Sequence, residues 1–462
     1  MEKILKFNEI INNIVWGWPS LFLLVGIGIL LTVRLKMIQI SKLKLILSNT
    51  LLKMFTKDTT LKGEITAFQS VATALAATVG TGNISGVAIA IATGGPGAIF
   101  WMWLSAIFGM ATKFSEVVLA IVYRERKKEG GYNGGPMYYI KNGLNLPWLA
   151  KLFALFTVLA SFGIGNMTQS NSISNAIRAN FNVDPKITSI IIMIIAAIVL
   201  LGGIERISKV SEALVPFMAL FYIIGSLVVL VLNFKEIPNA FYQIFTMGFS
   251  KQAAIGGFTG VTFKQIVRQG IARGVFTNEA GLGSAPIAHA SAKTDHPVLQ
   301  GMWGVFEVFM DTIVICTLTA LVIIVTKSWN SGYSGSELTS YAFNQGFTGG
   351  GYIVAIGLTL FAFSTILGWS FYGEKAVVFL FGEKYILYYR LIYIPIIFIG
   401  GIGGLQEVWA ITDTLNGLMA IPNLIAVFML QSVVIKMVKH YFNNPNKVLH
   451  LEDYKGIIKE KS

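Results

Sequence analysis

Ala77-Thr78-Val79-Gly80-Thr81-Gly82-Asn83-Ile84-Ser85-Gly86 and Phe276-Thr277-Asn278-Glu279-Ala280-Gly281-Leu282-Gly283-Ser284-Ala285-Pro286 are two runs of glycine and polar residues inside otherwise apolar segments. Each has a Gly-x-Gly core flanked by Thr, Asn or Ser. A lipid-facing helix would tolerate neither, because each unsatisfied backbone group in hydrocarbon costs several kcal/mol. Irregular backbone at that depth persists where it lines a protein cavity. There the free amides of a half-helix N-terminus attract a carboxylate, and freed carbonyls and hydroxyls offer hard oxygen ligands to a cation. Taken singly, either run also reads as close helix packing through small residues.

Working outward, the chain has 462 residues, of which 54% are apolar and 13% charged. Its mean hydropathy is +0.66. A soluble domain covers its surface with more charge than this. Apolar blocks such as Leu21 to Val33 and Ile187 to Leu201 approach, with their neighbours, the ~20 residues that span a bilayer. About eleven spans are expected, at 17–34, 66–93, 97–123, 150–176, 187–204, 210–233, 264–290, 298–326, 351–381, 386–405 and 409–436. The predicted fold is therefore all-α and polytopic. Residues 1–65 hold an N-terminal helix, the first span and a basic loop, 66–436 a core of ten spans, and 437–462 a polar tail. The two glycine-rich runs fall in spans two and seven. Spans 2–6 and 7–11 then form two five-helix halves, each opening on a broken helix, the sequence sign of an inverted-repeat transporter with a midplane site.

The formal net charge of +13 gathers in loops, not on a basic face, which argues against nucleic acid as partner. Arg34, Lys36, Lys42, Lys44, Lys53, Lys57 and Lys62 follow the first span. Arg124, Arg126, Lys127, Lys128 and Lys141 follow the third, and Lys436, Lys439, Lys447, Lys455, Lys459 and Lys461 the last. The opposite loops carry only Arg178, Lys186, Lys235, Lys251 and Lys327. The positive-inside rule places the N-terminus outside and the C-terminus in the cytoplasm. No cleavable signal peptide is evident in Met1 to Ile14. The single cysteine, Cys316, lies in an apolar run and reads as a small buried residue.

Gly80, Gly82 and Gly86 do not make a dinucleotide fingerprint, since the spacing is one residue too long and no strand precedes it. No nucleotide motif suggests drive by ATP. The four histidines, His289, His296, His440 and His450, stand beside no evident nucleophile, which argues against an intramembrane enzyme, and make a poor metal site. A channel would call for a pore ring rather than asymmetric broken helices in one chain.

Three stretches carry a family resemblance: Gly94 to Gly109 (GGPGAIFWMWLSAIFG), Asn133-Gly-Gly-Pro-Met-Tyr-Tyr139, and Gly274-Val-Phe-Thr-Asn-Glu-Ala-Gly-Leu-Gly-Ser-Ala-Pro286. The chain resembles the alanine or glycine:cation symporters, also called sodium:alanine symporters, over nearly its whole length. The resemblance implies a LeuT-like scaffold and cotransport of alanine or glycine with sodium, sometimes with protons. A small pocket set by Phe276 and Trp369 would favour alanine, glycine or serine. The expected protein is a monomer in the cell membrane, with sodium as coupling ion and no cofactor. Val79 to Asn83 then resemble the unwound centre of that scaffold's first core helix, whose amides hold the substrate carboxylate. Phe276, Thr277 and Gly281 to Gly283 resemble the unwound centre of its sixth, with Phe276 closing over the substrate. Ser364 and Thr365 resemble a sodium-binding hydroxyl pair, completed by backbone oxygens near Ala76 and Val79. In an isolated helix such a pair would bond back to carbonyls of the preceding turn.

The expected substrate site comprises Thr78, Gly80, Thr81, Gly82, Asn83, Gln169, Phe276, Thr277, Gly281 and Trp369. The expected sodium site comprises Ala76, Val79, Ser364 and Thr365. Gln169 is placed to meet the amine or the carboxylate, or else to bond between helices, and Trp369 to wall the pocket. Ionisable groups inside spans are functional candidates by default. Glu307 or Asp311 would carry a coupling proton in a proton-coupled alternative, Glu279 sits in the second break, and Lys113 and Glu116 are spaced to pair on one helix face. Glu374 and Lys375 read as a pair on the cytoplasmic side.

Overall fold

Segments of this hydropathy can satisfy their backbone in lipid only as helices, and the computed structural model is built from them. It describes residues 2–54, 65–127, 130–249, 252–255, 258–403, 406–445 and 447–459. Lys57, Lys62, Lys128, Lys251 and Lys461 of the charged loops and tail lie outside these residues. The chain opens with α1 (Glu2–Val15), turns at Gly17, and enters α2 (Trp18–Arg34) with a proline in its first turn.

α3 (Ala67–Thr78) starts on a capping box, in which Thr66 and Gln69 satisfy each other's backbone amides. At Val79 the backbone turns extended, with φ −75° and ψ 99°. It rewinds through a π-helical turn, Gly82–Gly86, into α4 (Val87–Gly94), and the two halves meet at 51°. α5 (Ala98–Val122) follows. α6 (Pro147–Phe162) and α7 (Thr168–Phe181) are joined through a second π turn, Gly163–Met167. α8 (Pro185–Leu200) and α9 (Gly203–Leu232) complete the first half.

The second half repeats the opening device. α10 (Phe263–Asn278) begins on the same Thr-x-x-Gln box, Thr262 with Gln265. It stops at Glu279, whose φ of +55° is left-handed, and the chain passes Gly281 and Gly283 at φ +92° and +82° before the short α11 (Pro286–His289). α12 (Pro297–Val308) and α13 (Thr317–Val325) are joined by a third π turn, Phe309–Cys316. Then come α14 (Gly350–Phe381), α15 (Ile386–Ile402), α16 (Gln406–Met429), α17 (Gln431–Asn443) and α18 (Leu451–Lys459). Two short hairpins interrupt the helical pattern, Glu125–Arg126 with Tyr132–Asn133 and Gln252–Ile255 with Phe258–Thr262.

Among the described residues, eight helices are long and apolar enough to cross a membrane, and the bent pair α3 and α4 makes a ninth. The expected fifth and seventh spans fall on shorter elements, the apolar α8 and the broken α10 and α11. α5 packs against α10 and α12, while α14 packs against α3, α6 and α7, so the two broken helices lie between these groups. Outward faces are apolar: on α8, Ile190, Ile191, Ile194, Ile195 and Ile198 are exposed, as are Leu220, Ile224 and Val231 on α9. Such faces suit lipid and no other solvent.

Candidate functional site

Unwinding both helices at the same depth opens a cavity of about 20 Å³ between them. Ala77, Thr78, Gly80, Thr81 and Gly82 of the first break face Phe276 and Glu279 of the second. Ile164, Gln169, Thr365, Trp369 and Asn416 close the sides. Of the expected substrate residues, Thr78, Gly80, Thr81, Gly82, Gln169, Phe276 and Trp369 line this cavity. Asn83, Thr277 and Gly281 stand behind its wall and shape it. The Asn83 Oδ1 accepts from the Gly80 amide at 2.9 Å, and its Nδ2 donates to Asp311 Oδ1 at 2.6 Å, which holds the unwound turn. Thr277 packs so close to Gly82 that a Cβ there would come 2.9 Å from its Oγ1. The Gly281 carbonyl accepts from Asn423 Nδ2 at 2.9 Å.

The walls fix both size and polarity. Trp369 is fully buried. Its indole lies over Gly165, in the second π turn, where any Cβ would overlap it. Its Nε1 donates to Glu279 Oε1 at 3.1 Å, and the other Glu279 oxygen accepts from Ser284. Gln169 donates through Nε2 to the Ile164 carbonyl at 3.1 Å. The Gln169 Oε1 and Asn416 Oδ1 are buried and have no hydrogen-bond partner among the described residues. Such orphaned acceptors are costly unless a ligand or water meets them. Phe276 separates the cavity from a second cleft, of about 120 Å³, lined by Asn12, Trp16, Arg268, Arg273 and Asp413 among others. Trp16 meets Phe276 edge-on, with centroids 6.3 Å apart.

Beside the cavity, five oxygens converge. The Ser364 Oγ lies 3.0 Å from the Ala76 carbonyl oxygen and 2.8 Å from that of Phe361. The Thr365 Oγ1 lies 3.4 Å from the Val79 oxygen and 3.0 Å from that of Phe361. The back-bonding expected of an isolated hydroxyl pair is thus present, yet the same hydroxyls also reach across to the first break. Neutral oxygens in this number, without a carboxylate, fit a hard monovalent cation (an extension from the oxygen ligand sets of other hard ions). Gly80 permits the approach, since a Cβ on it would lie 2.6 Å from Thr365 Oγ1.

The buried charges pair differently from the sequence expectation. Lys113 turns to Glu307 across the helix interface, with Nζ 3.2 Å from Oε1, rather than forming its ion pair with Glu116. Glu116 instead accepts from Asn423, which in turn accepts from Tyr139. Helix spacing made the first pairing available, but a tertiary partner on α12 offered closer, fully buried geometry. Similarly Glu374 pairs with Arg390 at 2.7 Å, and Lys375 reaches Asn133 at 2.8 Å. Asp311 accepts from Asn83 and, at 2.8 Å, from Thr312 Oγ1.

The sequence model of the sodium:alanine symporter family matches residues 1–454. The chain belongs to that family. It is 48% identical to the sodium/alanine symporter AgcS of Methanococcus maripaludis over 439 residues, 93% of this chain and 96% of that one. It is 39% identical to the probable sodium/glutamine symporter GlnT of Bacillus subtilis over 465 residues, 99% of this chain and 95% of that one. The crystal structure of MhsT in complex with L-phenylalanine superposes with a TM-score of 0.57 at 12% identity, covering 87% of this chain and 93% of that one, which places the fold among the LeuT-like transporters. The chain is a membrane symporter, not an enzyme.

Within this symporter several cavity residues escape the sequence reading. Asn416 sits on a helix whose polar residues show no distinctive pattern, and Ile164 and Ala77 look like any apolar span residue. Phe361 enters the oxygen cluster through its carbonyl alone, which no side-chain pattern reveals. Glu279 was visible as an ionisable residue inside a span, but its place in the cavity wall follows only from its left-handed backbone.

Proposed function

We propose that this symporter takes up a small neutral amino acid, alanine, glycine or serine, together with sodium, by alternating access between the two broken helices. The observation that carries this reading is the cavity itself. It combines the half-helix N-terminus at Thr81 and Gly82, two unpartnered acceptors and the Glu279 carboxylate within walls closed by Trp369, Ile164 and Phe276. A zwitterion divides naturally over such a site. Its carboxylate faces the amides of the first break, and its ammonium donates to Gln169 Oε1, Asn416 Oδ1 and Glu279. Trp369 and Ile164 leave room for a short side chain only. A family relative named for glutamine means that family membership alone does not set the size limit. The close approach of Trp369 and Ile164 is what supports the small-substrate reading.

Sodium is held by the hydroxyls of Ser364 and Thr365 and the carbonyl oxygens of Ala76, Val79 and Phe361. Because Thr365 also lines the substrate cavity, ion and substrate share one wall and order the same unwound turn. The membrane potential adds ~2.3 kcal/mol per charge per 100 mV to inward movement. The charge of the loops supports an N-terminus outside and a C-terminus in the cytoplasm. Phe276 then separates the substrate from the outer cleft. Every group of this site comes from the described residues of one chain, which supports action as a monomer.

The proton-coupled alternative meets an obstacle at Glu307. Its Oε1 already pairs with the buried Lys113 ammonium at 3.2 Å, and neutralising the carboxylate would leave that cation without its counter-charge. The test of substrate class is equilibrium binding of labelled alanine to purified protein in sodium, with unlabelled amino acids as competitors. Glycine, alanine and serine should displace the label, and leucine, glutamine and phenylalanine should not. Equal displacement by glutamine would contradict the assignment.

A further inference from the structure

Glu307 lies on α12, fully buried and outside the cavity. Its Oε1 is 2.9 Å from the Thr78 Oγ1 and 3.2 Å from the Lys113 Nζ, and its Oε2 is 3.1 Å from the His289 Nε2. Gln300 Nε2 lies 2.7 Å from the other nitrogen of His289, which fixes the ring with its Nε2 toward Glu307. One carboxylate therefore grips the last residue of α3, the middle of α5 and the last residue of α11. The Thr78 hydroxyl has two acceptors within reach, Glu307 Oε1 and the Ala74 carbonyl at 2.8 Å, so its single proton is divided between a contact that crosses to α12 and one inside α3. What the crossing contact adds is a fixed direction for the end of α3.

That end is where two proposed sodium ligands originate. Thr78 stands between Ala76 and Val79, whose carbonyl oxygens face Ser364 and Thr365. A backbone leaving its helix has lost the hydrogen-bonded neighbours that would orient those carbonyls. A buried ion pair costs desolvation and is a poor stabilising device by itself, but it holds geometry when its lone pairs are filled, as they are here.

We propose that Glu307 is a positioning residue for sodium. Through Thr78 it holds the Ala76 and Val79 carbonyls against Ser364 and Thr365, and Lys113 and His289 hold Glu307. The inference rests on the sodium site described under Proposed function. Glu307 does not itself line the substrate cavity, but its partner Thr78 does. Its effect is therefore read first on the ion, whose carbonyl ligands flank Thr78, with the amino acid measured in saturating sodium as the control.

The experiment is the sodium concentration giving half-maximal alanine uptake in proteoliposomes. Glu307→Asp keeps the charge that Lys113 needs but withdraws its oxygen from Thr78. Lys113→Met/Glu307→Gln removes the pair together and avoids a stranded ammonium. Both should raise the sodium half-saturation about tenfold, the scale of one hydrogen bond to a charged group, while alanine half-saturation in saturating sodium stays within about twofold. Thr78→Val should shift sodium by a similar factor, and its combination with Glu307→Asp should add nothing further, because both remove one interaction. Thr78→Ser should restore native sodium dependence. A sodium half-saturation unchanged in Glu307→Asp, or fully additive shifts in the combined variant, overturns the inference. A native protein whose uptake ignores sodium would instead sink the sodium site on which it rests.

Discussion

Gly80 shows how much of this site is decided by single atoms. A methyl group at that position would collide with the hydroxyl of Thr365, which faces both the ion cluster and the substrate cavity. Gly80→Ala should therefore lower sodium-driven uptake by at least about tenfold while the protein remains folded, because the collision is local and overpacking costs about 1–3 kcal/mol. Uptake near the native rate would show that the two walls are farther apart than described. Trp369→Phe keeps most of the wall but removes the donor to Glu279. Losing a hydrogen bond to a charged group costs ~1.5–3 kcal/mol, so alanine half-saturation should rise about tenfold or more. An unchanged value would mean that Glu279 does not meet the substrate ammonium. At this scale the sequence was informative where function forces an unusual residue into a span. Gly80, Gly82 and the Ser364 and Thr365 pair stand out from apolar surroundings. Asn416 and the Phe361 carbonyl do not, because their part is assigned by which helix happens to face them. The Lys113 pairing was misjudged for the same reason, since helix spacing names neighbours on one helix only.

The elements repeat a single construction. A Thr-x-x-Gln capping box starts α3 and α10 alike, each helix ends in a break, and a short helix resumes beyond it. The breaks were plain from glycine content, whereas the π turns at Gly163–Met167 and Phe309–Cys316 were not, since an extra residue in a helical turn leaves no compositional trace. The C-terminal helices add a second kind of coupling between elements. His296 caps α12 by accepting from the Val298 amide through Nδ1, so its proton sits on Nε2 and faces His440 Nδ1 at 3.3 Å. His440 belongs to α17, and the rings stack with centroids 5.6 Å apart, next to Tyr441. Burial first, and the neighbouring His440 second, push the His296 imidazole down to about 3. A histidine held below its unfolded value of ~6.5 contributes stability that is complete above that pH and is lost as pH falls toward 3. Protection from hydrogen exchange in Gln431–Asn443, taken relative to the intrinsic rate at each pH, should fall between pH 7 and 5, and His296→Asn should flatten that dependence. Protection independent of pH would show that the histidine pair does not fasten this helix.

For the whole molecule, the proposed direction across the membrane rests on the charged loops. Cys316 is buried, so cysteines added at the surface report without interference. A membrane-impermeant maleimide applied to intact cells should label Glu9→Cys and leave Asn444→Cys untouched, and the reverse pattern would invert the topology read from the basic loops. Hydropathy and loop charge made this architecture readable because the bilayer penalises every other arrangement of such a chain. The meeting of two breaks around one cavity needed the fold. The central claim is that sodium, bound beside that cavity, drives a small amino acid through it. The measurement that tests it most directly is uptake of labelled alanine into proteoliposomes under an inward sodium gradient, compared with a matched choline gradient with and without an inward proton gradient. The account predicts accumulation with sodium alone, at least tenfold reduced by Ser364→Ala and Thr365→Ala together, each lost ion ligand being worth about 1 kcal/mol or more. Accumulation of alanine driven equally well by protons in choline, or unaffected by losing both hydroxyls, would contradict it.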